Sequence, residues 1–224
     1  MTTVNGTIFM TDDAKRTADD QFQYRSKPME VAQSHIESAL NHQNFNHNIS
    51  ISYDYSFDSD NYDDSDSDLV ELRDMWREYW LDGHGDRSDH FNTLLLDYDE
   101  WPNPDGAGGV SVICDGDDGY PRGGVLLDGV DAGHHDEDSD RYGPASDSVE
   151  STIRGIVHES GHQFGMVHSE GLRYDREYDV IITYATPMGC NAGERNQCDE
   201  LCSSRETNEW DHYYGDCEVD DLCL

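Results

Sequence analysis

Basic residues are scarce in this chain of 224 residues, which has 14 lysines and arginines against 49 aspartates and glutamates. Only two lysines occur, Lys15 and Lys27, and the formal net charge is −35. This balance excludes a nucleic-acid partner that would bind to a basic surface. Long apolar runs are also missing, because the longest, such as residues 93–96, have the length of a strand. We therefore expect no segment that spans a membrane.

The excess of acidic residues extends over nearly every part of the chain. In dilute salt such a surface repels itself, whereas at molar salt the Debye length falls to roughly 3 Å and the repulsion largely disappears. The composition therefore resembles that of proteins from halophilic archaea. The aspartate-rich residues 58–68 offer an alternative, a local cation site such as one for Ca²⁺. They lack the glycine and glutamate of an EF-hand loop, which favours a solvated loop.

Helical and strand patterns alternate along the chain, which favours an α/β (α+β) sandwich with a mostly parallel, twisted sheet. Strands are predicted over residues 7–10, 49–55, 91–98, 109–114 and 124–127. Helices are predicted over residues 28–40 and 69–81 and from about residue 148. The polar stretch between residues 10 and 28 shows no periodicity, so we predict no element there.

The most informative stretch runs from His158 to His168 and has the form H-E-x-x-H-x-x-G-x-x-H. On a helix, His158 and His162 lie on one face and can bind one metal ion. Glu159 directly follows His158, so its side chain points to the neighbouring side of the helix, where it can act as a general base on a water molecule. Gly165 can adopt a positive φ, end the helix and bring His168 in as the third ligand. Three protein ligands with an open fourth position are typical of a catalytic zinc ion.

This motif resembles that of the metzincin zinc endopeptidases. The resemblance implies a turn with a methionine that supports the histidines, and residues 182–189, with Met188, match it. Within the metzincins the chain is most similar to the adamalysin (reprolysin) family, with the matrixins next. This similarity implies a long zinc-binding helix and a small, cysteine-rich C-terminal part.

The adamalysin resemblance also implies a substrate-binding edge and a disulfide. The edge is an antiparallel strand that includes Gly109, Val110, Ser111 and Val112, to which an extended peptide can add. A C-terminal helix over residues 202–217 and a disulfide between Cys114 and Cys217 are implied by the same comparison.

The resemblance further implies a division of the chain. Residues 1–27 would form an N-terminal arm or the first strand, and residues 28–224 the catalytic domain. Within that domain, residues 28–168 would be the upper subdomain, which ends in the zinc helix. Residues 169–224 would be the lower subdomain, with the Met-turn.

Two departures from related families are visible. Astacins and serralysins have a zinc-binding tyrosine two residues after the methionine of the turn, where this chain has Cys190. Adamalysins usually have an aspartate after the third histidine, where this chain has Ser169. Cys190 can ligate zinc as a thiolate, but a disulfide is the favoured interpretation.

Five of the six cysteines lie in the last 35 residues. Four of them, Cys190, Cys198, Cys202 and Cys223, would make a second zinc site or disulfides, and the absence of a C-x-x-C pair favours disulfides. Disulfides favour an extracellular or cell-surface location, although residues 1–28 show no pattern of a signal peptide. His134 and His135, next to acidic residues 136–138, are expected in a loop, with a second cation site as the alternative.

We therefore expect a zinc-dependent endopeptidase in which one zinc ion activates a water molecule and Glu159 is the general base. The expected partner is a protein or peptide substrate, and we expect a monomer. The main alternative is a catalytically silent, metzincin-like module that binds zinc or another cation. A peptidase that trims only chain ends and an acidic surface protein that sequesters cations are further alternatives.

Overall fold

The computed structural model describes residues 3–57, 69–81, 91–97, 109–111, 122–126, 128–135, 142–144, 148–219 and 222. The described strands are β1 (Thr3–Met10), β2 (Asn46–Ile51), β3 (Phe91–Leu95), β4 (Gly109–Ser111), β5 (Gly124–Leu126), β6 (Tyr142–Pro144), β7 (Arg173–Glu177), β8 (Ile181–Ala185) and β9 (Glu209–Asp211). The described α-helices are α1 (Asp12–Gln21), α2 (Lys27–His42), α3 (Leu69–Met75, continued by a π-helix over Trp76–Leu81) and α4 (Ser148–Phe164). None of these helices has the length and apolar character needed to cross a membrane.

A five-stranded sheet with the order β2-β1-β3-β5-β4 forms the centre of the fold. Its first four strands are parallel, and β4 pairs antiparallel with β5 at one edge. The predicted mostly parallel sheet with an antiparallel edge strand is therefore confirmed. Residues 1–27, expected as an arm or a first strand, supply an interior strand of this sheet.

Both faces of the five-stranded sheet are covered, which explains why every residue of β3 is buried. Alternate residues of a strand point to opposite faces. Phe91 and Leu95 accordingly pack with α1, α2 and α4 in one cluster. Leu94 packs with α3 and Trp76 in the other. The layers are thus helix, sheet and helix.

Helix α1 lies in the stretch for which no element was predicted, so that expectation was wrong. Its side chains are mostly polar, and only Ala14 and Ala18 are buried, which leaves little apolar periodicity in the sequence. The Thr11 hydroxyl accepts a hydrogen bond from Ala14 N at the start of the helix, 3.1 Å away. This N-cap and two aspartates in the first turn stabilise the helix. Its sequence has almost no apolar periodicity from which the helix could be predicted.

A second sheet, with the order β6-β9-β8-β7, lies in the C-terminal part and was not predicted. The α-helix expected over residues 202–217 is absent: this segment contains β9 and part of a 3₁₀ turn over Asp216–Val219. The Asn208 side chain accepts a hydrogen bond from Thr183 N on β8, 3.0 Å away. This contact and the pairing of β9 with β8 hold the segment in an extended form, and the apolar spacing of a helix is missing.

Two disulfides link the segments that follow the turn at Met188. Cys190 bonds to Cys202, and Cys198 bonds to Cys217. The expected pairing of Cys217 with Cys114 is therefore wrong, because Cys198 occupies that position with a Cα–Cα distance of 5.8 Å. Disulfides are confirmed for these cysteines in place of a second zinc site. Cys114, Cys223 and the acidic residues 58–68 lie outside the described residues.

Candidate metal centre

Helix α4 carries the first two histidines of the motif and is held firmly to the sheet. The Gln163 side chain accepts a hydrogen bond from Asn92 N, 2.8 Å away, and donates one to the Thr93 hydroxyl, 3.1 Å away. On the opposite side, the Tyr214 hydroxyl donates a hydrogen bond to Val157 O, 2.8 Å away. These buried contacts fix the rotation of the helix about its axis, and with it the direction of His158.

The motif glycine ends the helix, as the sequence predicted. Gly165 has a φ of 110°, a backbone conformation that residues other than glycine rarely adopt. The chain then turns into a short 3₁₀ segment that begins at His168. Glu170 accepts a hydrogen bond from Val167 N, 2.9 Å away, and this contact holds the turn. His168 thereby returns to the side of the helix on which His162 lies.

The three histidines form a nearly equilateral triangle. Each pair of Nε2 atoms in His158, His162 and His168 is 3.1 Å apart. In such a triangle each corner is about 1.8 Å from the centre, so a point 2.0–2.1 Å from all three nitrogens lies about 1 Å off their plane. This is the usual zinc–nitrogen distance, and the donor set therefore fits a single ion. In the part of the chain that the structure describes, no other group of three His, Cys, Asp or Glu side chains converges in this way.

Backbone carbonyls orient two of the imidazoles. His158 Nδ1 donates a hydrogen bond to Pro187 O, 2.8 Å away, and His162 Nδ1 donates one to Met166 O, 2.9 Å away. Because Nδ1 carries the proton, Nε2 keeps its lone pair free for a metal ion. Burial, together with the nearby His162, lowers the pKa of His158 to about 3. Burial also lowers the pKa of His162 and His168, so all three are neutral at neutral pH.

Glu159 lies beside the triangle and is almost completely buried. Burial raises the pKa of Glu159 to about 7, although Ser111, Arg154 and Arg73 act in the opposite direction. Its Oε2 atom has no hydrogen-bond partner among the described residues. An isolated buried carboxylate oxygen is costly, and a water molecule or substrate at the triangle would satisfy it.

A cleft of about 520 Å³ joins Glu159 and the histidines to the edge strand β4. Of the four residues expected to bind substrate, Gly109 and Ser111 line this cleft. Gly109 must be small, because a Cβ atom there would lie 2.9 Å from Cγ of Glu159. Val110 belongs to β4, and Val112 lies outside the described residues.

Met188 lies in the turn expected from the sequence and packs against α4. A Cβ atom on Gly161 would lie 2.9 Å from the Met188 sulfur, so the glycine permits this close approach. The turn itself is closed by a hydrogen bond from Gly189 N to Thr186 O of 2.9 Å. Met188 is buried and lies beside His158 and His168 in a second cavity.

The sequence analysis missed Glu218, which anchors this turn from the C-terminal 3₁₀ segment. Its carboxylate accepts hydrogen bonds from Met188 N, 3.1 Å away, from Gly215 N, 2.6 Å away, and from the Thr186 hydroxyl. Burial raises the pKa of Glu218 to about 7 despite these contacts. In a chain with 49 acidic residues, nothing in the sequence distinguishes this glutamate from the others.

Among the described residues, His134 and His135 do not belong to a group of three side chains that could hold a metal ion, and the acidic residues 136–138 lie outside the described residues. His134 is exposed and ends a 3₁₀ segment over Gly129–His134, whereas His135 follows that segment outside any helix or strand, as expected, but is buried. His135 Nδ1 lies 3.2 Å from Glu150 Oε1, and His212 Nε2 lies 2.9 Å from Glu150 Oε2. With His35 on α2, the residues His135, Glu150 and His212 form a buried histidine–glutamate cluster.

No family model and no curated protein matches this chain. The functional interpretation therefore depends on the geometry of the site.

Proposed function

We propose that this protein is a zinc-dependent endopeptidase that hydrolyses peptide bonds. The observation that carries the proposal is the triangle of Nε2 atoms, 3.1 Å apart, with the buried Glu159 in the same cleft. His158, His162 and His168 would hold the metal ion. When bound there, zinc would supply Lewis-acid polarisation of the peptide carbonyl and acidify a water molecule.

Glu159 would move the proton in this reaction. Its carboxylate would take a proton from the attacking water and deliver it to the leaving amine. Burial disfavours the charged form of this carboxylate, which increases its tendency to accept a proton from the attacking water. Its shielding from solvent would also keep bulk water from competing for the same oxygen.

The edge strand β4 would hold the substrate. Gly109 and Ser111 belong to the last strand of the described sheet and line the cleft beside Glu159. An extended peptide that pairs with this edge would cross the histidine triangle. This geometry favours cleavage within a chain over removal of its terminal residues.

A metzincin-like relationship is part of the proposal. It is supported by the spacing of the three histidines, the antiparallel edge strand and the turn with Met188 against α4. The different disulfide pairing and the absence of the C-terminal helix distinguish this chain from the adamalysin pattern. The two disulfides are compatible with an extracellular protein and support an extracellular or cell-surface location.

The test is cleavage of a long unfolded protein at molar salt by the wild type, with zinc and with a chelator. Glu159→Ala is expected to keep stoichiometric zinc while its kcat falls by roughly 10²–10⁴-fold, since it removes the general base. His168→Ala is expected to lose zinc on dialysis. Glu206→Ala, a change at an exposed glutamate, is the matched control and should behave as the wild type does.

The alternatives give different results in the same experiment. Substantial cleavage by Glu159→Ala would refute the role of this glutamate. Stoichiometric zinc without any cleavage would favour the catalytically silent module, and calcium without zinc would favour a cation-sequestering protein. A map of cleavage sites confined to chain ends would favour a trimming peptidase.

A further inference from the structure

Positive charge is concentrated next to the histidine triangle, in a chain whose net charge is −35. A cavity of about 450 Å³ lies beside His158, His168 and Met188 and continues along the segment after the turn. Its charged lining, apart from the histidines, consists of three arginines and one glutamate: Arg154, Arg173, Arg195 and Glu194.

Arg154 projects into this cavity from the helix that carries His158. It lies four residues before His158, so both side chains emerge on one face of α4. Its guanidinium group lies 3.7 Å from the centre of the Trp210 ring, a stacking contact that fixes its orientation. Burial lowers the pKa of Arg154 to about 10, although Glu159 and Glu218 act in the opposite direction. The group remains cationic at neutral pH.

The charge of Arg154 is not neutralised by a carboxylate at ion-pair distance among the described residues. Its Nε atom is buried and has no hydrogen-bond partner in that part of the chain. Arg173, on β7, also has a buried Nε atom without a hydrogen-bond partner among the described residues. Both arginines line one cavity, and neither has an ion-pair partner among the described residues.

The other two charged side chains are already engaged. Arg195 lies 3.4 Å from a carboxylate oxygen of Asp199. Glu194 accepts a hydrogen bond from the Asn191 side chain, 2.8 Å away, at the exposed rim. Arg154 and Arg173 therefore supply the positive charge available to a ligand, and together they exceed the single negative charge that Glu194 keeps at the rim. A carboxylate matches two forked guanidinium groups better than any neutral side chain does.

We propose that this cavity is a carboxylate-binding pocket that selects substrates with an acidic group next to the scissile bond. The group is the side chain of an aspartate or glutamate within a chain, and the free carboxyl end of a peptide, which has the same chemistry, is tested as the other source. The statement that this group lies next to the scissile bond rests on the proposed function, in which the histidines beside the pocket hold the metal ion that acts on that bond. Binding of the carboxylate itself does not depend on catalysis.

A binding experiment tests this without cleavage. Peptides with an uncharged fluorophore, identical except for one central glutamate or glutamine, are titrated by anisotropy against the zinc-loaded Glu159→Gln protein. The glutamate peptide is expected to bind roughly ten-fold tighter, because charge-assisted hydrogen bonds to the arginines are lost with glutamine. A second pair, with a free or an amidated C-terminus and no internal acid, tests the other source of the carboxylate.

Arginine variants of the same protein locate the effect. Arg154→Met and, separately, Arg173→Met are expected to reduce the preference to within about three-fold, and circular dichroism checks that each variant is folded. Arg25→Met is the matched control, since Arg25 is more than half exposed and is not part of the pocket lining. It should keep the full preference.

The outcomes separate this proposal from the function on which it rests. Equal binding of both members of both peptide pairs would overturn the pocket, even if the wild type cleaves peptides. Selective binding that disappears in Arg154→Met would support the pocket, even if the wild type cleaves nothing. A preference that survives in both arginine variants would place the carboxylate elsewhere and overturn the assignment.

Discussion

His35 is a residue whose environment makes stability depend on pH. It lies on α2, with its ring centre 4.6 Å from that of His135 and 5.0 Å from that of His212. Burial, then the neighbouring His212 and His135, lower its pKa to about 3, while Glu150 acts in the opposite direction. Lys27 and Glu30 line the small cavity beside it. The folded protein therefore keeps His35 neutral at pH values where an unfolded chain protonates it.

The contribution of His35 to stability is expected to fall as the pH decreases below about 6.5, the ordinary pKa of histidine. Between pH 6.5 and 3 the unfolded chain binds a proton that the folded chain does not bind at His35. One such proton contributes at most about 1.4 kcal/mol per pH unit. His35→Gln should remove this contribution, so its free energy of unfolding should change less with pH than that of the wild type.

Denaturant unfolding at pH 5.0, 6.0 and 7.5, at constant molar salt, measures the effect. His47→Gln provides a control at a partly exposed histidine on β2. Parallel pH dependence in the wild type and His35→Gln would contradict the assignment of a neutral His35.

The residues of the candidate site divide into those that spacing can predict and those that it cannot. His158, His162 and Glu159 follow from helix periodicity, and Gly165 follows from the need for a positive φ. Arg154 and Glu218 do not, because their partners Trp210 and Met188 are 56 and 30 residues away in the sequence. Contacts of that kind depend on the tertiary fold and leave no local pattern.

At the scale of elements, the Met-turn depends on the C-terminal 3₁₀ segment. Glu218 accepts hydrogen bonds from the backbone of Met188 and from the Thr186 hydroxyl. The adjacent Cys217 is bonded to Cys198, which lies in the segment after the turn. One short segment therefore fixes the turn through both a covalent bond and a buried carboxylate.

Glu218→Ala is expected to lower the free energy of unfolding by about 1–3 kcal/mol, because it leaves buried donors at Met188 and Gly215 without an acceptor. It should also weaken zinc binding, because Pro187 O, which orients His158, lies in the same turn. Denaturant unfolding and competition with a zinc-sensitive dye measure the two effects. Unchanged zinc affinity would show that the turn does not depend on Glu218, and Glu206→Ala serves again as the control.

The elements themselves were predictable where apolar residues repeat regularly. Helix α2 was predicted because Val31, Ile36, Ala39 and Leu40 recur on one face, and all four are buried. The strands of the second sheet are only three to five residues long, and those with a described burial pattern are partly exposed. They alternate too briefly to be recognised. The pairing of β9 with β6 and with β8 depends on contacts between distant parts of the chain, whereas β7 and β8 are neighbours in the sequence.

At the scale of the whole molecule, the net charge of −35 predicts a salt requirement. Like charges on a compact surface destabilise it until mobile ions screen them. The melting temperature should rise between 0.2 and 2 M potassium chloride, by roughly 2–4 °C for each kcal/mol of repulsion that is removed. Circular dichroism measures it, and chloride is chosen because sulfate also strengthens apolar burial. A melting temperature that does not change with salt would contradict the prediction.

The outermost position of β4 sets a condition on what the cleft can receive. A sheet edge accepts only backbone in an extended form, so a compact domain must first open locally before a segment of it can pair there. When such opening is fast relative to cleavage, the rate of degradation follows the fraction of open molecules. Under the proposed endopeptidase function, the protein would then act on its targets in proportion to how often they unfold, so that damaged or unfinished chains would be removed before intact ones.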